Sequence, residues 1–99
     1  MGKGPEVLVH AISSSLNEVA PGLEAVLEAH LKATLNRGLE VAYDDPKAFK
    51  EAVAKLFGEY SARLLELVII NKLQAQFGWS GEPATLEELV DRIKKVYGG

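Results

Sequence analysis

The chain has 99 residues, which is enough for a single domain over 1–99 with a modest hydrophobic core. It contains no cysteine, so its composition excludes disulfides, thiolate catalysis and cysteine-ligated metal centres. The hydrophobic content is 47%, the formal net charge at pH 7 is -3, and the first residues lack an apolar leader segment. These features predict a cytoplasmic globular protein and disfavour dedicated nucleic-acid binding.

Two helices are expected in the first third of the chain. Apolar residues at helical spacing predict a first helix over 5–19, preceded by a frayed end at 1–4. The Pro-Gly pair at 21–22 interrupts the pattern, because a residue before proline avoids the α conformation. A second helix is then expected over 22–37, with Gly38 as its stop signal.

His30 falls within the apolar face of the second predicted helix. A histidine at such a position can titrate near neutral pH or bind a metal ion. The only other histidine is His10, and there is no cysteine. We therefore favour a histidine at the edge of the core, bonded to a carbonyl or a carboxylate, and we predict no metal site.

The segment 39–43 alternates apolar and polar residues, as a short strand does. A single five-residue strand has no obvious partner within this chain, although it could pair across a dimer. An extended or one-turn connection packed on the core is the preferred interpretation.

Asp44, Asp45 and Pro46 form the clearest local motif. Asp45 is expected to cap a third helix over 46–57, with Pro46 in its first turn. Two adjacent carboxylates also suggest a divalent cation, but no spaced third acid follows, as an EF-hand loop would require. The capping role is therefore preferred.

Gly58 either ends the third helix or lies inside one long helix. Glycine in a helix interior costs about 1 kcal/mol relative to alanine. The sequence therefore favours a break at Gly58, with the next helix beginning at Glu59 or Tyr60.

The segment 59–77 is apolar on nearly every side of the helical wheel, although its β-branched run at 68–70 also suits a strand. Strong helix formers on both sides of that run favour a helix. Charged and amide residues interrupt it, so it is too short to span a membrane. We predict a compact, irregular all-α bundle of about five helices around this central helix, which its neighbours or a second copy would cover.

The last third of the chain contains two further signals. Gly78 is expected to close the central helix in a Schellman motif, with Trp79 covering its final turn instead of stacking on a ligand. After a loop, the Thr85–Glu88 segment matches a capping box that opens a last helix over 86–97.

The sequence contains no phosphate-binding loop, dinucleotide fingerprint, metalloprotease motif or nucleophile elbow. We therefore predict a noncatalytic protein-interaction or homodimerisation module without catalytic, cofactor or metal residues. The residues expected to take part in interactions are Tyr60, Leu67, Ile70, Phe77, Trp79 and His30.

The alternative function is a nucleic-acid-binding or transcription-regulatory domain. The third helix, Gly58 and the central helix could form a helix-turn-helix, but a recognition helix needs an exposed polar face. Basic residues in the last helix, Arg92, Lys94 and Lys95, follow acidic residues by one turn, which matches the helix dipole better than a phosphate track.

The stretch Leu-Phe-Gly-Glu-Tyr-Ser-Ala-Arg-Leu-Leu-Glu at 56–66, with Ile-Ile-Asn-Lys-Leu at 69–73, resembles small archaeal helical domains of unknown function. It is similar in particular to the Nitrosopumilus-output type, in which a Phe-Gly-Glu break precedes a long apolar helix. The resemblance implies an all-helical domain with a place in signalling, downstream of a sensor. It brings no catalytic residues.

Overall fold

A computed structural model describes residues 3–97, which form helices and no strand. The helices are α1 (Lys3–Val19), α2 (Leu23–Leu35), α3 (Val41–Asp44), α4 (Pro46–Phe57), α5 (Glu59–Phe77) and α6 (Leu86–Tyr97). The predicted all-α class is confirmed. The additional helix is α3, a single turn in the segment that was expected to be an extended or one-turn connection.

One hydrophobic core joins all six helices. α5 packs against α1, α4 and α6, and α4 also contacts α2, α3 and α6. The large aliphatic side chains with no accessible surface come from α1, α2, α5 and α6, and they are Leu8, Ile12, Leu16, Leu27, Leu31, Leu73, Leu89 and Ile93. The described chain measures 31 × 26 × 21 Å.

α1 begins at Lys3, two residues earlier than predicted. Gly4 is buried, and a Cβ at this position would lie 2.7 Å from the hydroxyl oxygen of Tyr43. The absence of a side chain lets the start of α1 lie directly against the Tyr43 ring. The prediction of a frayed end is therefore wrong for Lys3 and Gly4, and for 1–2 and 98–99 it lies outside the described residues.

α2 ends at Leu35, earlier than the predicted stop at Gly38. Asn36 takes the left-handed conformation, with φ 56°, and its N–H bonds the Lys32 carbonyl. Asparagine tolerates this conformation better than most residues, so it can end a helix as glycine does. Arg37 consequently lies beyond the helix and pairs with Glu40 and Asp44.

The predicted boundaries around α4 are confirmed. The carboxylate of Asp45 accepts a hydrogen bond from the Ala48 N–H at 3.2 Å, and Pro46 occupies the first turn. Gly58 separates α4 from α5 with φ 91° and ψ 158°, a conformation open essentially only to glycine. The break turns the chain so that α5 packs against α4.

α5 lies at the centre of the bundle, but the other helices cover only one side of it. Leu65, Ile69, Ile70 and Leu73 form the buried side. On the opposite side Tyr60 is 79% exposed, Leu64 46% and Leu67 36%. Within residues 3–97, no helix has the length and hydropathy needed to span a lipid bilayer.

Candidate functional site

An apolar groove of about 520 Å³ runs beside the N-terminal half of α5. It is lined by Val19, Ala20, Leu23, Phe57, Ser61, Leu64, Leu65 and Val68, and we call this set the apolar groove. None of these eight described side chains is ionisable. The groove falls within the size range of surfaces that receive apolar ligands or partner side chains.

Two chain breaks create the groove. α1 ends at Val19 and α2 begins at Leu23, and these two residues form one wall together with Ala20. α4 ends at Phe57, and after the Gly58 break this residue and the first turns of α5 form the other wall. Apolar side chains at these helix ends are left without a covering element.

A row of exposed side chains borders the groove. Tyr60, Leu64, Leu67 and Asn71 are separated by four, three and four residues, so they follow one stripe of α5. All four are exposed, and Leu64 belongs to both the stripe and the groove. We call these four residues the exposed ridge.

A charged pocket of about 360 Å³ lies between α4 and α5 and is also lined by Glu87 of α6. At its base is Glu66, which is only 5% exposed. Arg63 and Lys50 donate to its two carboxylate oxygens at 3.0 and 3.1 Å, and Lys50 also pairs with Glu87 at 2.8 Å. The backbone N–H of Leu86, the first residue of α6, donates to Glu66 at 2.7 Å.

These contacts decide what Glu66 can do chemically. Burial raises the pKa of Glu66, but bonds from the Leu86 N–H, Arg63 and Lys50 outweigh burial and leave the pKa below its usual value. Burial likewise opposes the charge of Lys50, yet Glu87 and Glu66 leave the pKa of that lysine raised. Both groups therefore stay ionised near neutral pH. A carboxylate whose pKa is lowered and whose two oxygens both accept bonds is a poor general base, and its contacts tie α4, α5 and α6 together.

The residues predicted to take part in interactions do not form one site. Tyr60 and Leu67 lie on the exposed ridge. Ile70 is 2% exposed and belongs to the core, so its assignment to an interaction surface is wrong. It turns inward because it is three residues from Leu73, on the buried side of the helix.

Phe77 and Trp79 lie at the far end of α5. Their rings stack with centroids 4.8 Å apart, and Tyr97 meets Phe77 edge-on. The backbone N–H of Trp79 donates to the Gln74 carbonyl at 3.0 Å, which is the bond expected of the predicted Schellman motif.

His30 is half-buried on α2. Its Nε2 atom is buried without a hydrogen-bond partner, so the predicted bond to a carbonyl or carboxylate is not formed at that atom. Within residues 3–97, no group of three or more histidine, aspartate or glutamate side chains is arranged to hold a metal ion.

The start of α6 follows the predicted capping box in part. The Thr85 hydroxyl accepts from the Glu88 N–H at 3.2 Å, but the Glu88 carboxylate bonds the N–H of Ala84 instead of that of Thr85. Glu88 and Arg92, and likewise Asp91 and Lys95, have the i, i+4 spacing that predicts ion pairs, but neither pair forms among the described residues.

Two of the basic residues of α6 face aromatic rings. Arg92 lies 5.0 Å from the centre of the Trp79 ring and 3.9 Å from Glu82. Lys94 lies 5.3 Å from the centre of the Tyr43 ring. Arg92 and Lys94, two of the three basic residues on which the nucleic-acid alternative depends, therefore contact side chains of the protein itself.

Sequence reasoning missed Leu64, Val19 and Glu66. Leu64 and Val19 carry no local signal, because their exposure depends on which side of each helix the bundle covers. Glu66 has a weak signal, since it interrupts an apolar run and follows Arg63 by three residues.

The fold and its surfaces define a small all-helical domain built on one long helix. The chain belongs to the family described as Nitrosopumilus output domain 5, whose model matches residues 2–95. The resemblance carried by the residues around Gly58 is therefore confirmed over nearly the whole chain. Among proteins with curated descriptions, none matches this chain.

A solved structure supports the same fold. The crystal structure of PH0832 from Pyrococcus horikoshii OT3 is similar to this chain with 65% sequence identity and a TM-score of 0.93. The match covers 98% of this chain and 99% of that one, so the two have the same architecture from end to end.

Proposed function

We propose that the chain is a noncatalytic protein-interaction module that binds a partner protein through the apolar groove and the exposed ridge. One observation carries the proposal. Of the six large hydrophobic side chains exposed in residues 3–97, Leu64 and Val19 line the groove, Tyr60 and Leu67 belong to the ridge, and Val26 follows a groove residue by one helical turn. Grouped apolar exposure of this kind is typical of an interaction surface.

The charged pocket supports the noncatalytic part of the proposal. Glu66 is the most buried charged group in the described chain, and its donors keep it ionised at neutral pH. Its bonds to Lys50, Arg63 and the start of α6 give it a structural role. A carboxylate that three donors hold in its ionised form is better suited to joining helices than to accepting a proton.

The family description, an output domain, supports a place at the receiving end of a signalling chain. A domain without catalytic groups can pass on a signal by contacting another protein, and such contact needs an exposed apolar surface. We propose that this contact takes place in the cytoplasm. The groove and ridge would then be the surface through which the domain acts.

Photo-crosslinking from inside the groove tests the proposal. A benzoylphenylalanine replaces Ser61, which lines the groove, and in a matched protein it replaces Lys55, which is exposed on α4 outside the groove. Both proteins are expressed in their native cells and irradiated, and adducts are identified by mass spectrometry. The expected result is a protein adduct at position 61 that is absent at position 55.

Adding the substitution Leu64→Glu should remove that adduct, because a charge buried in an apolar contact is costly. Circular dichroism confirms that each protein is folded. Equal adducts at both positions, or an adduct that survives Leu64→Glu, would contradict the proposal.

A further inference from the structure

We propose that the occupant of this surface is a second copy of the chain, with the two α5 helices packed parallel about a two-fold axis that runs along them. The inference rests on the proposed function, because it assigns a partner to the same groove and ridge. It is carried by the spacing of the ridge residues, the identity of one of them, and the position of the groove.

The spacing of the ridge is that of a coiled-coil seam. Tyr60, Leu64, Leu67 and Asn71 repeat at intervals of four, three and four residues, as d, a, d and a positions of two heptads do. All four are exposed, whereas the core seam of α5 follows Leu65, Ile69 and Leu73 on another side of the helix. α5 thus has two seams, and the core covers only one of them.

Asn71 favours a second copy over an unrelated protein. In parallel two-stranded pairs, an asparagine at an a position meets the same residue of its partner, and the two amides bond and fix the register. A single polar residue in an otherwise apolar seam finds no hydrogen-bond partner on an apolar surface of an unrelated protein. The same residue of a second copy supplies that partner. Asn71 is exposed, so its amide is accessible to a partner.

Charge supports the same occupant. Each copy has a formal net charge of -3, so close contact between two copies is favoured where neither presents like charges to the other. The groove and the ridge contain no aspartate, glutamate, lysine, arginine or histidine side chain. The nearby pair of Lys72 with Glu18 is internally neutralised.

The position of the groove selects the parallel arrangement. The groove borders the a-position edge of the seam, where Leu64 lies, while Tyr60 and Leu67 form its d-position edge, away from the groove. Rotation about an axis along α5 places Tyr60 and Leu67 of each copy against the groove of its partner. An axis across α5 would instead place ridge against ridge and leave both grooves empty. A self-complementary patch is the requirement of a two-fold interface.

The absence of cysteine makes a disulfide test direct. Single variants Leu64→Cys and Asn71→Cys place a thiol at successive a positions, and Val96→Cys, at a side chain 49% exposed on α6, is the matched control for Leu64 at 46%. Each is oxidised at micromolar concentration, and the rate of covalent dimer formation is measured. Both seam variants should form dimers on the order of a hundredfold faster than the control, because pairing holds the thiols at millimolar effective concentration.

The two thiol positions separate the arrangements. In a parallel pair, Asn71 lies beside its own counterpart, whereas in an antiparallel pair centred on Leu64 the two Asn71 residues lie about 20 Å apart. Rapid linkage at 64 but not at 71 therefore overturns the parallel arrangement. Linkage at both positions no faster than at 96 overturns the second copy as occupant.

Sedimentation of the unmodified chain gives an independent measurement. The mass should rise toward that of a dimer at high micromolar concentration, and Leu64→Glu should remain monomeric while Val96→Glu should not. A wild-type monomer throughout this range overturns the inference. If an adduct to another protein still forms at position 61, the proposed function survives this outcome, and if no adduct forms, both fail.

Discussion

Glu66 shows how one polar residue can organise an apolar helix. Its side chain lies among core residues of α5, and it accepts bonds from α4, from α5 itself and from the backbone at the start of α6. Removing one partner of a buried ion pair leaves the remaining charges without compensation, and this loss typically exceeds the net stabilisation by the intact pair.

Glu66→Gln should destabilise the fold by about 2 kcal/mol, because the charge-assisted bonds from Lys50 and Arg63 weaken while both cations can still reach solvent. The matched control is Glu87→Gln, which removes the other carboxylate that contacts Lys50. The Glu87 side chain is 43% exposed, so its loss should cost less than about 1 kcal/mol. Urea unfolding followed by circular dichroism measures both free energies. Equal losses in the two variants would contradict the bracing role of Glu66.

The stabilisation by Glu66 should also depend on pH. The folded-state pKa of Glu66 lies below its usual value of 4.5, so its contribution is fully present above that pH and is lost as the pH falls through the folded-state pKa. The stability difference between wild type and Glu66→Gln should thus be constant near neutral pH and shrink as the pH falls below 4.5. Urea titrations across this range measure the difference. A gap that stays unchanged at acid pH would show that the charge of Glu66 is not what stabilises the fold.

At the scale of the helix, α5 derives its unusual composition from having two seams. Leu65, Ile69 and Leu73 pack into the core, and Tyr60, Leu64 and Leu67 face outward. The two sets together leave little room for a polar side. This explains why the sequence of α5 suggests a helix that is buried on most sides, although the other helices of the chain cover only one side of it.

Gly58 decides where that helix begins, and its backbone conformation gives a prediction. Gly58→Ala should destabilise the protein by about 1–3 kcal/mol, because an L-residue at φ 91° and ψ 158° is strained. A Cβ there would meet nothing within 4 Å, so the cost is conformational and not steric. Thermal unfolding measures the loss.

A synthetic chain with D-alanine at position 58 is the matched control. A D-residue adopts positive φ without strain, so this chain should be as stable as wild type or more so. A D-alanine chain that loses as much stability as the L-alanine variant would show that the added methyl group, and not the backbone, is responsible.

The sequence was sufficient for features set by local chemistry. Asp45 and Pro46 specify the start of α4, Gly58 and Gly78 specify the ends of α5, and these were predictable because each acts on its own backbone. The end of α2 was missed because Asn36, a weaker signal than Gly38, reaches the left-handed conformation first.

The site was less predictable, because exposure is a property of the assembled bundle. α5 is apolar on both sides, so no residue pattern distinguishes Ile70, which is buried, from Leu67, which is not. Glu66 escaped notice for a related reason. Its partners Lys50 and Leu86 are 16 and 20 residues away in the chain, and only the packing of α4 and α6 on α5 brings them together.

For the whole molecule, the proposed dimer links stability to concentration. If a second copy covers the groove and ridge, the folded dimer is favoured by mass action, and the melting temperature should rise by about 3–5 °C for each tenfold increase in protein concentration. Differential scanning fluorimetry over two decades of concentration measures the slope. The slope should vanish in Leu64→Glu and persist in Val96→Glu. A wild-type melting temperature independent of concentration would argue against association.

The packing of the single tryptophan has a practical consequence. Trp79 stacks on Phe77 and lies beneath Arg92 of α6, about 20 Å along α5 from Leu64. Its indole emission is therefore a built-in optical reporter of how α6 is seated on the end of α5. Because the indole is remote from the groove, its emission should change when the protein unfolds and should not change when a partner binds in the groove.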